Sequence, residues 1–117
     1  MAEEGQVIYC HSKNEWDDHF QKGKDSKQLV VVDFTAAWCG PCRIIAPAFD
    51  ELAKNTPNVL FLKVDIDELL DVSTEWKIRS VPTFLFIKEG KLVDSFSGAN
   101  KVQIGMLVAK HSAVADA

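Results

Sequence analysis

Apolar residues change their spacing from segment to segment along this chain, and the changes predict alternating strands and helices. Three short runs at 6–10, 29–35 and 59–66 are almost continuously apolar or β-branched, which is typical of strands. The run at 29–35, LVVVDFT, predicts a central strand that is buried on both faces. Two later runs, TFLFI and LVDSFS, flank the polar KEGK and predict a hairpin with Gly90 in its turn.

Two helices are expected between the first three strands. Ser12 and Glu15 have the spacing of a capping box and begin the first helix, while QKGKDSKQ (21–28) predicts a polar loop around Gly23. The second helix is expected to begin at AWCGPC and to run to about Asn55. Its proline, Pro47, is expected to kink it.

Two more helices follow the third strand. Asp67 is expected to cap a short helix that contains Leu69, Leu70 and Trp76. The last helix is expected to begin near Asn100 and Gln103. One face of this last helix carries Ile104, Leu107, Val108 and His111.

The resulting order of elements, βαβαβαββα, indicates an α/β protein with a mixed sheet. Strands that alternate with helices favour parallel pairing, and a closing hairpin adds antiparallel strands. We expect a single domain over 1–117 with flexible ends at 1–5 and 114–117. Cys39 follows the strand at 29–35, and functional residues in such folds lie beyond the carboxyl ends of strands.

Composition and charge narrow the possible functions. The formal charge is −4 and basic residues do not cluster, which argues against nucleic-acid or anionic-membrane binding. The start MAEEGQ lacks the features of a secretory signal, and no apolar run is long enough to cross a membrane. These features predict a cytoplasmic protein, in which a lasting structural disulfide is not expected.

The segment AWCGPCR contains two cysteines, Cys39 and Cys42, whose spacing fits three kinds of site. As a staple, the four-residue loop would stabilise the fold by only about 2 kcal/mol. A structural zinc site needs four ligands, and neither Cys10 nor the histidines supply a second metal-binding spacing. A reversible dithiol is the interpretation that best fits the residues.

Pro41 gives the dithiol interpretation its physical basis. Proline suits the first turn of a helix, so Cys39 is expected at the helix N-terminus, where free N–H groups and the helix dipole favour a thiolate. Cys39 is therefore expected to attack, with the less exposed Cys42 resolving the mixed disulfide. Because proline donates no hydrogen bond to the thiolate, the pair is expected to reduce other disulfides.

The motifs WCGPC and SVPTF, about forty residues apart, resemble those of thioredoxins. Together with VVDFTAAWCGPCR, Pro47 and KVDID, they make the sequence most similar to the plant cytosolic h-type over roughly residues 6–113. The resemblance implies the thioredoxin fold, a central mixed five-stranded sheet flanked by four helices. It also implies a thiol-disulfide oxidoreductase that reduces protein disulfides.

The resemblance changes the interpretation of Asp33. From the residues alone, an aspartate in a strand is expected to face solvent, because unpaired Asp is seldom buried. The matching thioredoxin residue is buried behind the dithiol and accepts or donates the proton of the resolving cysteine, here Cys42. Lys63 matches the lysine near that aspartate; without the resemblance it is a charge on a strand face.

A docking surface for substrate chains is also implied by the resemblance. Pro82 would by default follow a trans bond, but thioredoxins have a cis proline there, facing the cysteines and leaving the backbone of Val81 to pair with substrate. The residues that match the substrate-binding surface are Trp38, Gly40, Pro41, Val81, Pro82, Gly98 and Ala99.

Three residues differ from the shared pattern or fall outside it. Thr35 stands where bacterial thioredoxins often carry Trp, and Arg43 stands where Lys is also common. Cys10 is expected to be a buried, inert thiol, with a second redox role or a Cys10-linked dimer as the alternative. We expect the protein to be mostly monomeric, with a weak or Cys10-linked dimer as the alternative.

The function implied is therefore that of a protein-disulfide reductase. No GxGxxG or GxxxxGK[ST] fingerprint is present, so no bound cofactor is expected and a separate thioredoxin reductase is expected to supply reducing equivalents. The other partners are disulfide-containing target proteins. Two alternatives remain open: a redox-independent docking subunit of a larger assembly, and an oxidase or isomerase of the protein-disulfide-isomerase kind.

Overall fold

A computed structural model describes residues 5–112, which form five strands and four helices. In chain order these are β1 (Val7–Cys10), α1 (Lys13–Ser26), β2 (Leu29–Thr35), α2 (Gly40–Asn55), β3 (Leu60–Asp65), α3 (Leu70–Glu75), β4 (Thr83–Lys88), β5 (Lys91–Ser97) and α4 (Lys101–Ser112). The order βαβαβαββα is confirmed. The predicted flexible ends, apart from Gly5, lie outside the described residues. None of these four helices is both long and apolar enough to cross a membrane.

The strands form one mixed sheet in the order β1-β3-β2-β4-β5. Both pairings of β3, with β1 and with β2, are parallel, whereas β4 pairs antiparallel with β2 and with β5. Each parallel connection runs through a helix, and β4 reaches β5 through the predicted turn. Glu89 and Gly90 both have positive φ there (51° and 80°), as a type I′ hairpin turn requires. The predicted mixed sheet is confirmed.

Two apolar layers cover the two faces of the sheet. Alternate residues of β2 point to opposite faces, because side chains alternate along a strand. Val32 and Phe34 pack with Trp16 of α1 on one face. On the other face, Val31 packs with Phe49 of α2 among aromatic residues from β3 and β4. Asp33 has the same parity as Val31, so its side chain points into the layer beneath α2.

The loop predicted at 21–28 is wrong, because α1 continues to Ser26. Gly23 is buried on the face of α1 that also carries Trp16. A β-carbon at position 23 would overlap Cγ2 of Val30, so the absent side chain lets the helix approach the sheet closely. The helix ends instead at Lys27, whose left-handed φ of 60° directs its N–H to the helix carbonyls.

The predicted cap of α3 is also wrong. No side chain caps this helix, which begins at Leu70 and ends before Trp76. Asp65 accepts hydrogen bonds from the N–H groups of Asp67 and Glu68 in the loop before the helix. The carboxylate of Asp67 instead accepts a hydrogen bond from a residue beside the cysteines.

The remaining helix starts agree with the sequence in part. Ser12 accepts a hydrogen bond from the Glu15 N–H, as a capping box predicts, but the Glu15 carboxylate accepts from the His11 N–H rather than from Ser12. Asn100 caps α4 by accepting from the Gln103 N–H at 3.0 Å. These contacts satisfy N–H groups that have no partner within the helix.

Candidate active site

Cys39 and Cys42 are joined by a disulfide at the N-terminus of α2. Cys39 is the N-cap residue, with an extended backbone (φ −90°, ψ 108°), and Pro41 lies in the first helical turn. Their Cα atoms are 5.3 Å apart, which is within the range that a disulfide requires.

The Cys39 sulfur occupies the position of an N-cap oxygen. The backbone N–H of Cys42 donates a hydrogen bond to Cys39 Sγ at 3.2 Å. In the reduced protein the same N–H and the positive end of the helix would favour a thiolate on Cys39. Cys42 lies inside the first helical turn, so its sulfur is not at the N-cap.

The two cysteines do not differ in exposure as the sequence predicts. In the disulfide-bonded protein, Cys39 is 4% exposed and Cys42 is 3% exposed. They pack with Ala36, Ile66 and Val81 in a small apolar cluster. The distinction between the two sulfurs therefore rests on the hydrogen bond to Cys39 and not on solvent access.

A loop from the other half of the sheet closes over Cys39. The Val81–Pro82 peptide bond is cis, as the resemblance implies, and the Val81 carbonyl oxygen lies 3.7 Å from Cys39 Sγ. The Gly98 N–H donates to the Pro82 carbonyl at 2.9 Å. These contacts bring the segments at 81–82 and 98 to the disulfide, although both are distant from it in sequence.

The surface around the disulfide is partly apolar and is braced by one hydrogen bond. Trp38 is 67% exposed, and its indole N–H donates to a carboxylate oxygen of Asp67 at 2.9 Å. Pro41 and Ala99 are exposed, and Gly40 is half-buried. Of the seven residues of the predicted docking surface, only Pro82 is buried.

Asp33 is fully buried on the α2 side of β2. Neither of its carboxylate oxygens accepts a hydrogen bond from any residue in 5–112. Burial raises the pKa of Asp33 to about 7; Lys63 opposes this effect, while Asp50 adds to it. The solvent-facing position expected from the residues alone is wrong, and the buried position implied by the resemblance is correct.

Lys63 lies beside Asp33 and beside a small pocket behind Cys42. It is the register partner of Asp33 between β3 and β2. The pocket has a volume of about 210 Å³, and its lining includes Thr35, Cys42, Arg43 and Lys63. This pocket adjoins Cys42 on the side of the sheet that contains Asp33.

Cys10 lies outside this arrangement. Its side chain is fully buried in the layer beneath α1, on the sheet face opposite Asp33. Burial raises the pKa of the Cys10 thiol to about 12, which disfavours the reactive thiolate. This position agrees with the expected inert thiol. Within 5–112, no group of three or more potential ligands is arranged to hold a metal ion.

Two contacts at the site have no local signal in the sequence. Asp67 orients Trp38 instead of capping a helix, and Tyr9 of β1 lies over Lys63, whose Nζ is 5.8 Å from the centre of the Tyr9 ring. The β1–β3 register, which no local pattern reveals, creates the second contact. The first contact depends on how the β3–α3 loop folds back toward the disulfide.

A mixed sheet that presents a CxxC disulfide on a helix N-terminus, beside a cis proline, defines the class of thiol-disulfide oxidoreductases. The family model described as thioredoxin matches residues 7–110. The chain belongs to the thioredoxin family. It is accordingly a protein-disulfide reductase, and a redox-independent docking subunit is not favoured.

Several plant proteins are closely similar over nearly the whole chain. A thioredoxin H-type of Ricinus communis is 59% identical over 114 residues, which cover 97% of each protein. Thioredoxin H1 of Arabidopsis thaliana is 58% identical over 112 residues, covering 96% of this chain and 98% of that protein. The crystal structure of thioredoxin NaTrxh from Nicotiana alata superposes with a TM-score of 0.90 at 40% identity, covering 97% of this chain and 98% of the other. The predicted similarity to plant h-type thioredoxins is confirmed.

Proposed function

We propose that Cys39 is the attacking sulfur of this reductase, that Cys42 resolves the intermediate, and that Asp33 accepts and returns the Cys42 proton. The observation that supports this assignment is the hydrogen bond from the Cys42 N–H to Cys39 Sγ at 3.2 Å. A donor aimed at one sulfur stabilises negative charge on that sulfur alone. Cys39 is therefore the thiolate in the reduced protein.

The first step breaks a target disulfide and links one target cysteine to Cys39 in a mixed disulfide. The Cys39 thiolate attacks a target disulfide, an S–S bond forms between Cys39 and the target, and the second target sulfur leaves as a thiolate that takes a proton from water. The N–H groups of the first helical turn favour the Cys39 thiolate before attack. They also orient its sulfur. The surface around Trp38 and Val81 would hold the target chain beside Cys39.

The second step releases the target and forms the disulfide seen here. Cys42 loses its proton to Asp33, attacks Cys39 Sγ, and the remaining target sulfur leaves as a thiolate and is protonated. Because the pKa of Asp33 is about 7, its carboxylate can accept a proton near neutral pH and return it when the pair is reduced again. Lys63 moderates the charge on Asp33 during this exchange.

We infer the remaining features of the cycle from the chemistry of the pair. A separate reductase, of the thioredoxin reductase kind, supplies two electrons and two protons to the Cys39–Cys42 disulfide, without a cofactor bound to this chain. Pro41 offers no hydrogen-bond donor to the thiolate, which favours reduction of targets in a reducing compartment such as the cytoplasm. We propose that the protein is mostly monomeric; because Cys10 is buried, a Cys10-linked dimer is not expected.

The docking surface would recognise extended segments of target proteins. It consists of Trp38, Gly40, Pro41, Val81, Pro82, Gly98 and Ala99. An exposed indole and small residues offer an apolar platform with little steric obstruction next to the disulfide. The backbone of Val81 is close enough to Cys39 to hold a target strand beside the reacting sulfur.

The test is reduction of a model protein disulfide by the wild type and by single serine variants. Cys39→Ser should be inactive, and Cys42→Ser should accumulate a mixed disulfide that mass spectrometry detects. Asp33→Asn should slow turnover at neutral pH. A mixed disulfide on Cys39→Ser instead would exchange the two roles, and an unchanged rate in Asp33→Asn would remove the proposed proton transfer.

A further inference from the structure

Tyr9, Lys63 and Asp33 form one row across three neighbouring strands. Tyr9 is the register partner of Lys63 between β1 and β3, and Lys63 is the register partner of Asp33 between β3 and β2. Partners in adjacent strands project from the same face of a sheet. Lys63 therefore stands between an aromatic ring on one side and a buried carboxyl group on the other.

The ammonium group of Lys63 is placed with the ring and not with the carboxyl group. Its nitrogen lies 5.8 Å from the centre of the Tyr9 ring, within the range of a cation–π interaction. Neither oxygen of Asp33 accepts a hydrogen bond from Lys63 or from another of the described residues. Opposite charges attract each other, yet the partner observed next to the ammonium is the Tyr9 ring and not the Asp33 carboxyl group.

The Tyr9 ring is held in place by its other neighbours. It stacks on the His11 ring, with centres 4.4 Å apart and planes 21° from parallel. His11 Nδ1 in turn lies 3.0 Å from a carboxylate oxygen of Glu68, in the loop before α3. The ring therefore offers Lys63 a fixed surface at the edge of the pocket behind Cys42.

We propose that Tyr9 is a positioning residue that holds the Lys63 ammonium off Asp33, so that Asp33 remains able to exchange a proton with Cys42. The inference rests on the proposed role of Asp33 and identifies a residue that regulates it. Water in the pocket of about 210 Å³, which both Tyr9 and Lys63 line, would solvate the ammonium on its other sides.

The charges that act on Asp33 explain why the distance of the Lys63 ammonium from it matters. Burial raises its pKa, Lys63 lowers it, and Asp50 of α2 raises it; the β4 residue paired with Asp33 is the uncharged Phe84. A contact ion pair lowers the pKa of a carboxyl group by roughly 1–3 units. Such a pair with Lys63 would keep Asp33 charged at neutral pH and prevent it from carrying a proton.

The experiment compares Tyr9→Leu with Tyr9→Phe in the oxidised protein, where Cys39 and Cys42 do not titrate. The Asp33 carboxyl ¹³C shift, followed by NMR against pH, reports the pKa directly. Tyr9→Leu keeps an apolar side chain but loses the ring, and the Asp33 pKa should fall by about half a unit or more. Tyr9→Phe keeps the ring and should leave it unchanged. Tyr9 is 42% exposed, so neither change empties a core site.

The same pair of variants in a Lys63→Met background distinguishes two causes of a lower Asp33 pKa. One is movement of the Lys63 ammonium toward Asp33, and the other is entry of water beside Asp33. Without the ammonium, Tyr9→Leu should no longer move the Asp33 pKa. An unchanged or raised pKa in the single variant, or a fall that persists without Lys63, would overturn the inference. The proposed function is judged separately by turnover of Asp33→Asn, whereas a shift in Asp33 titration is detectable whether or not Asp33 carries the catalytic proton.

Discussion

The backbone of Gly23 in α1 lies directly against the side chain of Val30 in β2. A β-carbon at position 23 would overlap Cγ2 of Val30 and would also approach Leu60 within 3.3 Å. The helix is therefore seated on the sheet at a distance that only glycine permits. This contact explains why a glycine, normally unfavourable within a helix, lies in the last two turns of α1.

Gly23→Ala is expected to destabilise the protein by about 1–3 kcal/mol, because the added methyl group forces the helix or the valine to shift. Gly105→Ala in α4 is the matched control. There the new β-carbon would meet Leu52 at an ordinary 3.8 Å, so the better helix propensity of alanine should stabilise by about 0.5–1 kcal/mol. Urea unfolding measures both; equal effects at the two sites would contradict the close packing.

The contribution of Asp33 to the stability of the oxidised protein is expected to fall as pH rises from about 4 to about 7. The pKa of Asp33 is 3.8 when unperturbed and about 7 in the folded protein, so between these values the folded state binds more protons than the unfolded state. Relative to Asp33→Asn, the wild type should lose up to about 4 kcal/mol over this interval and no more above it.

Chemical denaturation of both proteins at several pH values checks this expectation. The other ionisable groups are the same in both proteins, so their contributions cancel in the difference. A difference that does not depend on pH would mean that Asp33 titrates normally in the folded protein.

Asp67→Ala is expected to lower kcat/KM for a protein disulfide by about threefold to tenfold, because the freed indole of Trp38 no longer presents a fixed surface. Asp67→Asn retains an acceptor oxygen and should lose less. In a double-mutant cycle with Trp38→Phe, the two effects should not add. Reduction assays with a protein substrate and with a small disulfide separate docking from chemistry: the small substrate should be affected less.

The Cys10 thiol is expected not to react with thiol reagents in the native protein. With its thiol fully buried and its pKa near 12, the oxidised protein should show no thiol reacting with an aromatic disulfide reagent, and one after unfolding in guanidinium. Cys10→Ser should retain full reductase activity. Rapid labelling of the native protein, or an oxidation-induced dimer that Cys10→Ser abolishes, would restore the alternative of a second redox role.

Local patterns in the sequence predict the strands and the place of the dithiol well. The run LVVVDFT coincides with β2, and the apolar runs near 6–10 and 59–66 contain β1 and β3. Pro41 predicts a helix that begins directly after Cys39, as observed. These features depend on a few consecutive residues, whose backbone preferences are sufficient to define them.

The roles of Gly23 and Asp67 depend on partners that are distant in the sequence. Gly23 has the local appearance of a turn residue, but its role comes from Val30 on the sheet. Asp67 has the appearance of a helix cap, but its partner is Trp38, 29 positions earlier. One sequence contains no local signal for such contacts.

The amino-acid sequence alone was sufficient to specify the chemistry of this protein, since a CxxC pair with proline between its cysteines at a helix start favours a reactive thiolate over a staple or a metal site. The environment of that pair required the tertiary structure. Whether Asp33 is buried without a hydrogen bond, and whether Lys63 contacts Tyr9, depends on the register of three strands. Burial and register determine the proton affinity of a carboxyl group, and both arise only when segments distant in sequence pack together.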